Sequence, residues 1–283
     1  MKGCFFIGLV LMGLSLHATH KTLSLQKALD EKLVLAKVHS LGGYQGYCIK
    51  MEVKNLSPDS LVITVEAGRR LNSMDEKQQD ILVVKEQIIV LKKFEDKYID
   101  VKGYCCQAHN SSPCAGAKYD VNKLADTKLV LLANYLNVNN FKTDAEQQAI
   151  WAISDNQNTA NVTATNDSLI TPLRNLVATI KNEPIPWYTY VTRTINYASG
   201  RMETFPLLLR GQLNFDNGKE CYTTLHILNE KGMEVGQITK QWTVVGNNQS
   251  YTLNIPIAGL AKGKYTIELK NDKKELVKKE FII

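Results

Sequence analysis

The chain has 283 residues, of which 44% are hydrophobic and 22% charged, and its formal net charge is +6. That composition belongs to a globular protein and excludes a disordered one, and the length suffices for roughly two domains with cores of their own. The lysines are scattered. The densest group, Lys270, Lys273, Lys274, Lys278 and Lys279, lacks the interleaved aromatics of a nucleic-acid surface, so nucleic acid is excluded as a partner. Such a group reads instead as a solvated strand edge, where lysines deter edge-to-edge pairing.

Met1-Lys2 precedes an apolar run from Cys4 to Leu16, and small or weakly polar residues follow to Ala18. This is the order of regions in a secretory signal peptide, and cleavage is expected after Ala18. The run is shorter than the about 20 residues of a spanning helix. No later stretch is longer or more apolar, so no integral membrane span is expected after cleavage. The expected destination is outside the cytoplasm: secreted, cell surface or periplasm.

From Leu33 to Gln107 the pattern alternates. Runs at 33–38, 47–53, 61–65, 81–84, 87–91 and 98–104 are separated by turn residues such as Asn55-Leu56-Ser57-Pro58-Asp59. Short strands at this spacing predict an antiparallel sandwich over 19–119. One or two helical turns are expected around Leu25, Ala28 and Leu29. Near residue 120 the period becomes helical, with Val121, Leu124, Ala125, Leu129, Leu132, Ala133 and Leu136 on one face. A second helix opens at Thr143-Asp144-Ala145-Glu146, where Thr and Glu have capping-box spacing. A third opens at Thr171-Pro172 with Thr as cap and Pro first. Asn156 to Asp167 reads as a loop. The helical subdomain therefore spans 120–183, packed on the first sandwich. Glu183-Pro184-Ile185-Pro186 reads as a linker, and period-two runs over 187–283 predict a second sandwich of about seven strands, immunoglobulin-like in size. The fold class expected is mostly β, with two antiparallel sandwiches joined through a small α-helical region.

Common catalytic signatures are absent: no phosphate loop, no Gly-x-Ser-x-Gly elbow, no His-Glu-x-x-His. No cofactor is expected, and the protein is not expected to be an enzyme. The cysteines are more telling. After cleavage Cys48, Cys105, Cys106, Cys114 and Cys221 remain, and an odd number in an exported chain leaves one unpaired. A local disulfide from Cys105 or Cys106 to Cys114 closes the Asn110-Ser111-Ser112-Pro113 loop. Cys48 then pairs with whichever of Cys105 and Cys106 remains, and Cys221 is a buried spare. Alternatively, Cys105, Cys106, His109 and Cys114 offer soft ligands to zinc or copper.

Two segments resemble known families. Tyr104-Cys105-Cys106, with the later Glu146-Gln147-Gln148-Ala149-Ile150-Trp151, is similar to the paired motifs of bacterial thioester domains, which are surface adhesin modules. Glu146 stands where that family has threonine. The resemblance implies an internal thioester, with Cys105 or Cys106 as thiol and Gln147 as acyl donor, that captures a host amine. Ile150 and Trp151 would pack the helix. Gly259-Leu260-Ala261-Lys262-Gly263-Lys264-Tyr265 and Val277-Lys278-Lys279-Glu280-Phe281-Ile282-Ile283 resemble the close of C-terminal β-domains on exported Bacteroidetes-type proteins. These serve as sorting signals or as plain accessory sandwiches. The resulting expectation is an exported binding or adhesion protein whose ligand is a surface protein or glycan. The alternatives are a structural or envelope-assembly protein and a metal-binding one.

Overall fold

A computed structural model describes residues 21–141, 143–198, 201–243, 245–271 and 274–283. The expected signal peptide lies outside these residues, as does the side chain of Thr143. In chain order come β1 (Lys21–Ser24), α1 (Leu25–Asp30), β2 (Val34–Ser40), β3 (Gln45–Asn55), β4 (Leu61–Val65), β5 (Arg69–Ser73), β6 (Ile81–Val83), β7 (Gln87–Leu91), β8 (Asp96–Cys105) and β9 (Lys118–Leu124). The helical region follows with α2 (Thr127–Val138), α3 (Thr143–Ser154) and α4 (Thr171–Lys181). Last come β10 (Tyr188–Asn196), β11 (Met202–Asn217), β12 (Cys221–Asn229), β13 (Glu234–Thr243), β14 (Gly246–Pro256), β15 (Lys264–Asn271) and β16 (Lys274–Ile282). The chain is mostly β with a small helical region.

The first nine strands do not simply stack as two open sheets. Six of them close into a barrel in the order β2-β3-β8-β6-β5-β9, and β1-β4-β7 form a separate three-stranded sheet. Barrel and sheet share one apolar core, in which Ile49 and Met51 of β3 and Val101 of β8 meet Ile63 of β4 and Leu91 of β7. Closure removes the unpaired edges that an open sheet would present. The closing strand is β9. Its residues Val121 and Leu124 carry helical spacing, yet Leu71 pairs with Val121 and Arg69 with Leu124, while β2 takes the other edge at Val38–Tyr119. Helix α2 therefore begins later than its periodicity suggests, at the Asp126 cap, whose carboxylate accepts from the Lys128 and Leu129 amides.

The helices bury their apolar faces on the outside of the barrel. Leu132, Leu136, Ala149, Ile150, Leu173 and Val177 share a core with Leu82 and Tyr104 of the barrel wall. Thr171 is the first helical residue of α4 and not its cap; the Ile170 cap makes no side-chain bond. The Thr171 hydroxyl donates to the Asp167 carbonyl instead.

The C-terminal module has the expected seven strands, in sheets β10-β11-β14 and β13-β12-β15-β16. Tyr190, Leu209 and Leu253 of the first sheet face Leu225, Ile267 and Phe281 of the second. The module also takes in a residue from outside itself, since Ala160, from the loop between α3 and α4, is buried in the same core.

Gly103 tests the barrel wall. It lies on β8 between Gly46 of β3 and Val83 of β6, and an added Cβ would collide with Ile81 Cγ2 and lie 3.2 Å from the Leu82 carbonyl oxygen. Ile81 is β-branched and stiff at χ1, so it cannot swing away. Gly103→Ala is expected to lower stability by roughly 1–3 kcal/mol through overpacking, seen as a lower urea midpoint at unchanged slope.

Candidate functional site

The site forms where β8 ends against α3. Successive side chains of a strand point to opposite faces, so Tyr104 and Cys106 face the helices while Cys105 faces the barrel core. Two neighbouring pairs join strand to helix. The first is Tyr104 with Glu146. The Glu146 carboxylate is fully buried; it accepts from the Tyr104 hydroxyl, from Lys102 Nζ at 2.7 Å and from the Phe141 amide at 3.1 Å. Glu146 is thus bonded to the loop before the helix and ion-paired to the barrel, while the capping box expected with Thr143 involves a side chain outside the described ones.

The second pair is Cys105 with Gln147. The Gln147 carboxamide closes a two-bond ring on the Cys105 backbone: its Nε2 donates to the Cys105 carbonyl at 2.8 Å, and its Oε1 accepts from the Cys105 amide at 3.2 Å. That amide also donates to the Tyr44 carbonyl. Both residues are almost fully buried. Of the two adjacent cysteines, Cys105 is the one that Gln147 meets. Gln147 lies beyond the first four residues of α3, whose amides alone lack intrahelical partners. The carbonyl is therefore polarised by the strand backbone and not by the helix end.

The disulfides expected from Cys48, Cys105, Cys106 and Cys114 are not formed; these four and Cys221 are all free thiols. Strand alternation separates Cys105 from Cys106 and leaves neither with Cys114, although Cys48 and Cys105 share a core. It sends Cys105 into the barrel core with Cys48 and Cys106 into the helical core, while Cys114 stays exposed. Burial holds the buried thiols in the neutral form: it pushes Cys105 well above the ordinary thiol range, Cys48 to about 11 and Cys106 to about 12. The same placement keeps Cys105, Cys106, His109 and Cys114 from gathering as one ligand set. Among the described residues no three His, Cys, Asp or Glu groups converge as a metal site. His109 Nδ1 instead lies 3.2 Å from Asp155 Oδ1, and Cys114 Sγ accepts from Gln78 Nε2.

A cavity of about 490 Å³ opens beside Gln147, within the usual size of small-ligand sites. Tyr44 and Trp151 stack on one side of it, with centroids 6.1 Å apart. Three polar atoms of its lining residues are buried without a hydrogen-bond partner: Gln45 Oε1, Gln148 Oε1 and Trp151 Nε1. Buried polar groups are ordinarily satisfied, so two acceptors and one donor here remain to be used. The Asp144 carboxylate, on the same cavity, accepts from Gln45 Nε2 at 3.1 Å. Neither the cavity nor Tyr44 and Gln45 were legible in the sequence, where they lie about a hundred residues from α3.

Comparison with known proteins bears on the other end of the chain. Residues 205–283 match the secretion system C-terminal sorting domain. The chain is an exported protein. That match favours sorting over a plain spacer for the C-terminal module, because the family marks proteins carried to the cell surface or released. No helix of the described residues is long and apolar enough to cross a membrane. No curated protein matches the chain. The solved structure of the CBM51-2 and INT domains of Clostridium perfringens ZmpB aligns at 10% identity over 87% of this chain and 80% of that chain. Its TM-score is 0.20, too low to carry an argument about fold or function.

Two measurements check the site. Glu146→Ala strands the Lys102 ammonium and the Tyr104 hydroxyl, and breaking a buried pair in this way is expected to cost about 3–5 kcal/mol in chemical denaturation. In the native state a thiol reagent is expected to label Cys114 rapidly and Cys48, Cys106 and Cys221 only after unfolding; fast native labelling at Cys48 or Cys106 contradicts the burial described.

Proposed function

We propose that the exported chain is a binding or adhesion protein that holds its target covalently, through an internal thioester between Cys105 Sγ and Gln147 Cδ. The observation that carries this reading is the two-bond ring between the Gln147 carboxamide and the Cys105 backbone. It ties the acyl group of one residue to the chain of the other, in a motif pair that resembles those of thioester domains.

The chemistry balances within the chain. The Cys105 sulfur attacks Gln147 Cδ, the Cδ–Nε2 bond breaks, and the thiol proton leaves with the nitrogen as ammonia. In capture, the amine nitrogen of the target forms an amide with Cδ, the Cδ–Sγ bond breaks, and a proton returns to sulfur. Water competes with the amine for the same carbon, and burial of both residues keeps it away. Holding the carboxamide on the Cys105 backbone makes ring closure an internal reaction once the Cys105 side chain turns from the barrel core, and this can be worth several orders of magnitude in rate. Each chain captures once, so the role is binding and not turnover. The target is a surface protein or glycan that carries an amine.

Intact mass of the mature protein tests this. The wild type should be lighter than its sequence by one ammonia and should gain one methylamine on incubation. Cys105→Ala and Gln147→Glu should show neither change, and Cys106→Ala should behave as wild type. A wild type of full sequence mass with no adduct overturns the reading.

A further inference from the structure

The C-terminal module reaches the cavity beside Gln147. Val191, Thr192 and Thr194 of β10 and Arg210 of β11 line it together with Gln147 and Gln148 of α3. This wall is fastened and not merely adjacent. Met202, at the start of β11, is buried against Trp151 and Ala108. Asn158 Nδ2 donates to the Ile282 carbonyl at 2.7 Å, and Ala160 sits in the core of the sandwich. Arg201 forms an isolated bridge with Ser111 of the barrel loop. A module serving only as an address would need none of these contacts.

We propose that β10 and β11 are the specificity wall of the acyl site: the sandwich that carries the sorting likeness also decides which nucleophile reaches Gln147. This rests on the Cys105–Gln147 reading and adds the class of nucleophile to it. The cavity suits a slender primary amine at the end of a chain. Gln148 Oε1, on a residue only 8% exposed, is an unused acceptor on a residue that lines the cavity with Gln147, and the Asp144 carboxylate stands on the same cavity; both favour an N–H donor. Thr192 and Arg210, from a separate sheet, line the same cavity as the glutamines and so limit its width. A broad, branched amine meets this wall before its nitrogen reaches Cδ. Arg210 is exposed and its Nε donates to Asn254 Oδ1 at 3.4 Å, so its side chain is held on the sheet and can be removed without opening the sandwich core.

The test uses the full mature chain and follows capture of methylamine and of 1-adamantylamine by intact mass. Wild type should take methylamine at least about tenfold faster, the scale on which pocket shape discriminates. Arg210→Ala should raise the adamantylamine rate and narrow the ratio, with Arg210→Lys behaving as wild type. Thr192→Trp should act in the opposite sense, slowing adamantylamine more than methylamine; because the two variants move the ratio oppositely, general loosening of the fold cannot imitate both. Capture of methylamine with a ratio unchanged in Arg210→Ala and Thr192→Trp overturns the wall while leaving the thioester standing. Absence of methylamine capture in the wild type overturns the thioester reading itself and the wall with it.

Discussion

The structure turns on the clamp between the end of β8 and the first half of α3. Two consecutive strand residues meet two consecutive helix residues: Tyr104 with Glu146, and Cys105 with Gln147. A strand advances about 3.3 Å per residue and a helix about 1.5 Å, so the two can stay in step for only one such pair of steps. The first contact is a hydrogen bond reinforced by the Lys102–Glu146 ion pair. A carboxylate in an apolar interface is costly unless its acceptor sites are filled, and three donors fill them here. With Glu146 anchored, the next residue is delivered to the Cys105 backbone without freedom to wander. Glu146 therefore has a structural function of its own.

The same alternation explains the cysteines. Adjacent thiols on a strand face opposite sides of the wall, so Cys105 and Cys106 report to different cores and have no common partner in Cys114. Closure of the barrel matters as well. Cys48 and Cys105 lie in its interior, shut off from solvent and neutral at ordinary pH because burial disfavours the thiolate. An exported chain keeps free thiols most easily where oxidants cannot reach.

The helical region is the piece that makes one object of the barrel and the C-terminal sandwich. One side of it shares a core with the barrel wall, and the loop after α3 inserts Ala160 into the sandwich. The cavity beside Gln147 is what three curved surfaces leave where they meet. Its unsatisfied polar atoms follow from that geometry: Gln148 and Trp151 are buried by packing on their own helix, yet look toward space that the sandwich roofs and does not fill.

Much of the fold was written in local pattern. Period-two runs marked nearly all the strands, including the seven of the C-terminal module, and Gly259 and Gly263 at positive φ sit at the turn that carried its likeness to exported β-domains. The helical period located α3 and α4, and burial of Ile150 and Trp151 follows from their spacing. Local pattern failed where pairing overrode it. Val121 and Leu124 have helical spacing but complete the barrel as β9. Arg69–Ser73 reads as polar yet forms β5, because the fully buried Arg69 guanidinium is neutralised by Glu66 and bonded to Gln26.

For the candidate site the division is sharper. The sequence alone determined that the chain is built for export and that a Tyr-Cys pair and a Gln-x-Ala-Ile-Trp helix were candidates to meet. Both are properties of short segments, readable because signal regions and helical faces are encoded by neighbours. Only the tertiary structure decided that Gln147 finds Cys105 and not Cys106, that no thiol is paired, and that β10 and β11 stand across the cavity. Those outcomes depend on which face of a strand meets which helix and on how separate sheets close, and the relevant neighbours are distant in the chain.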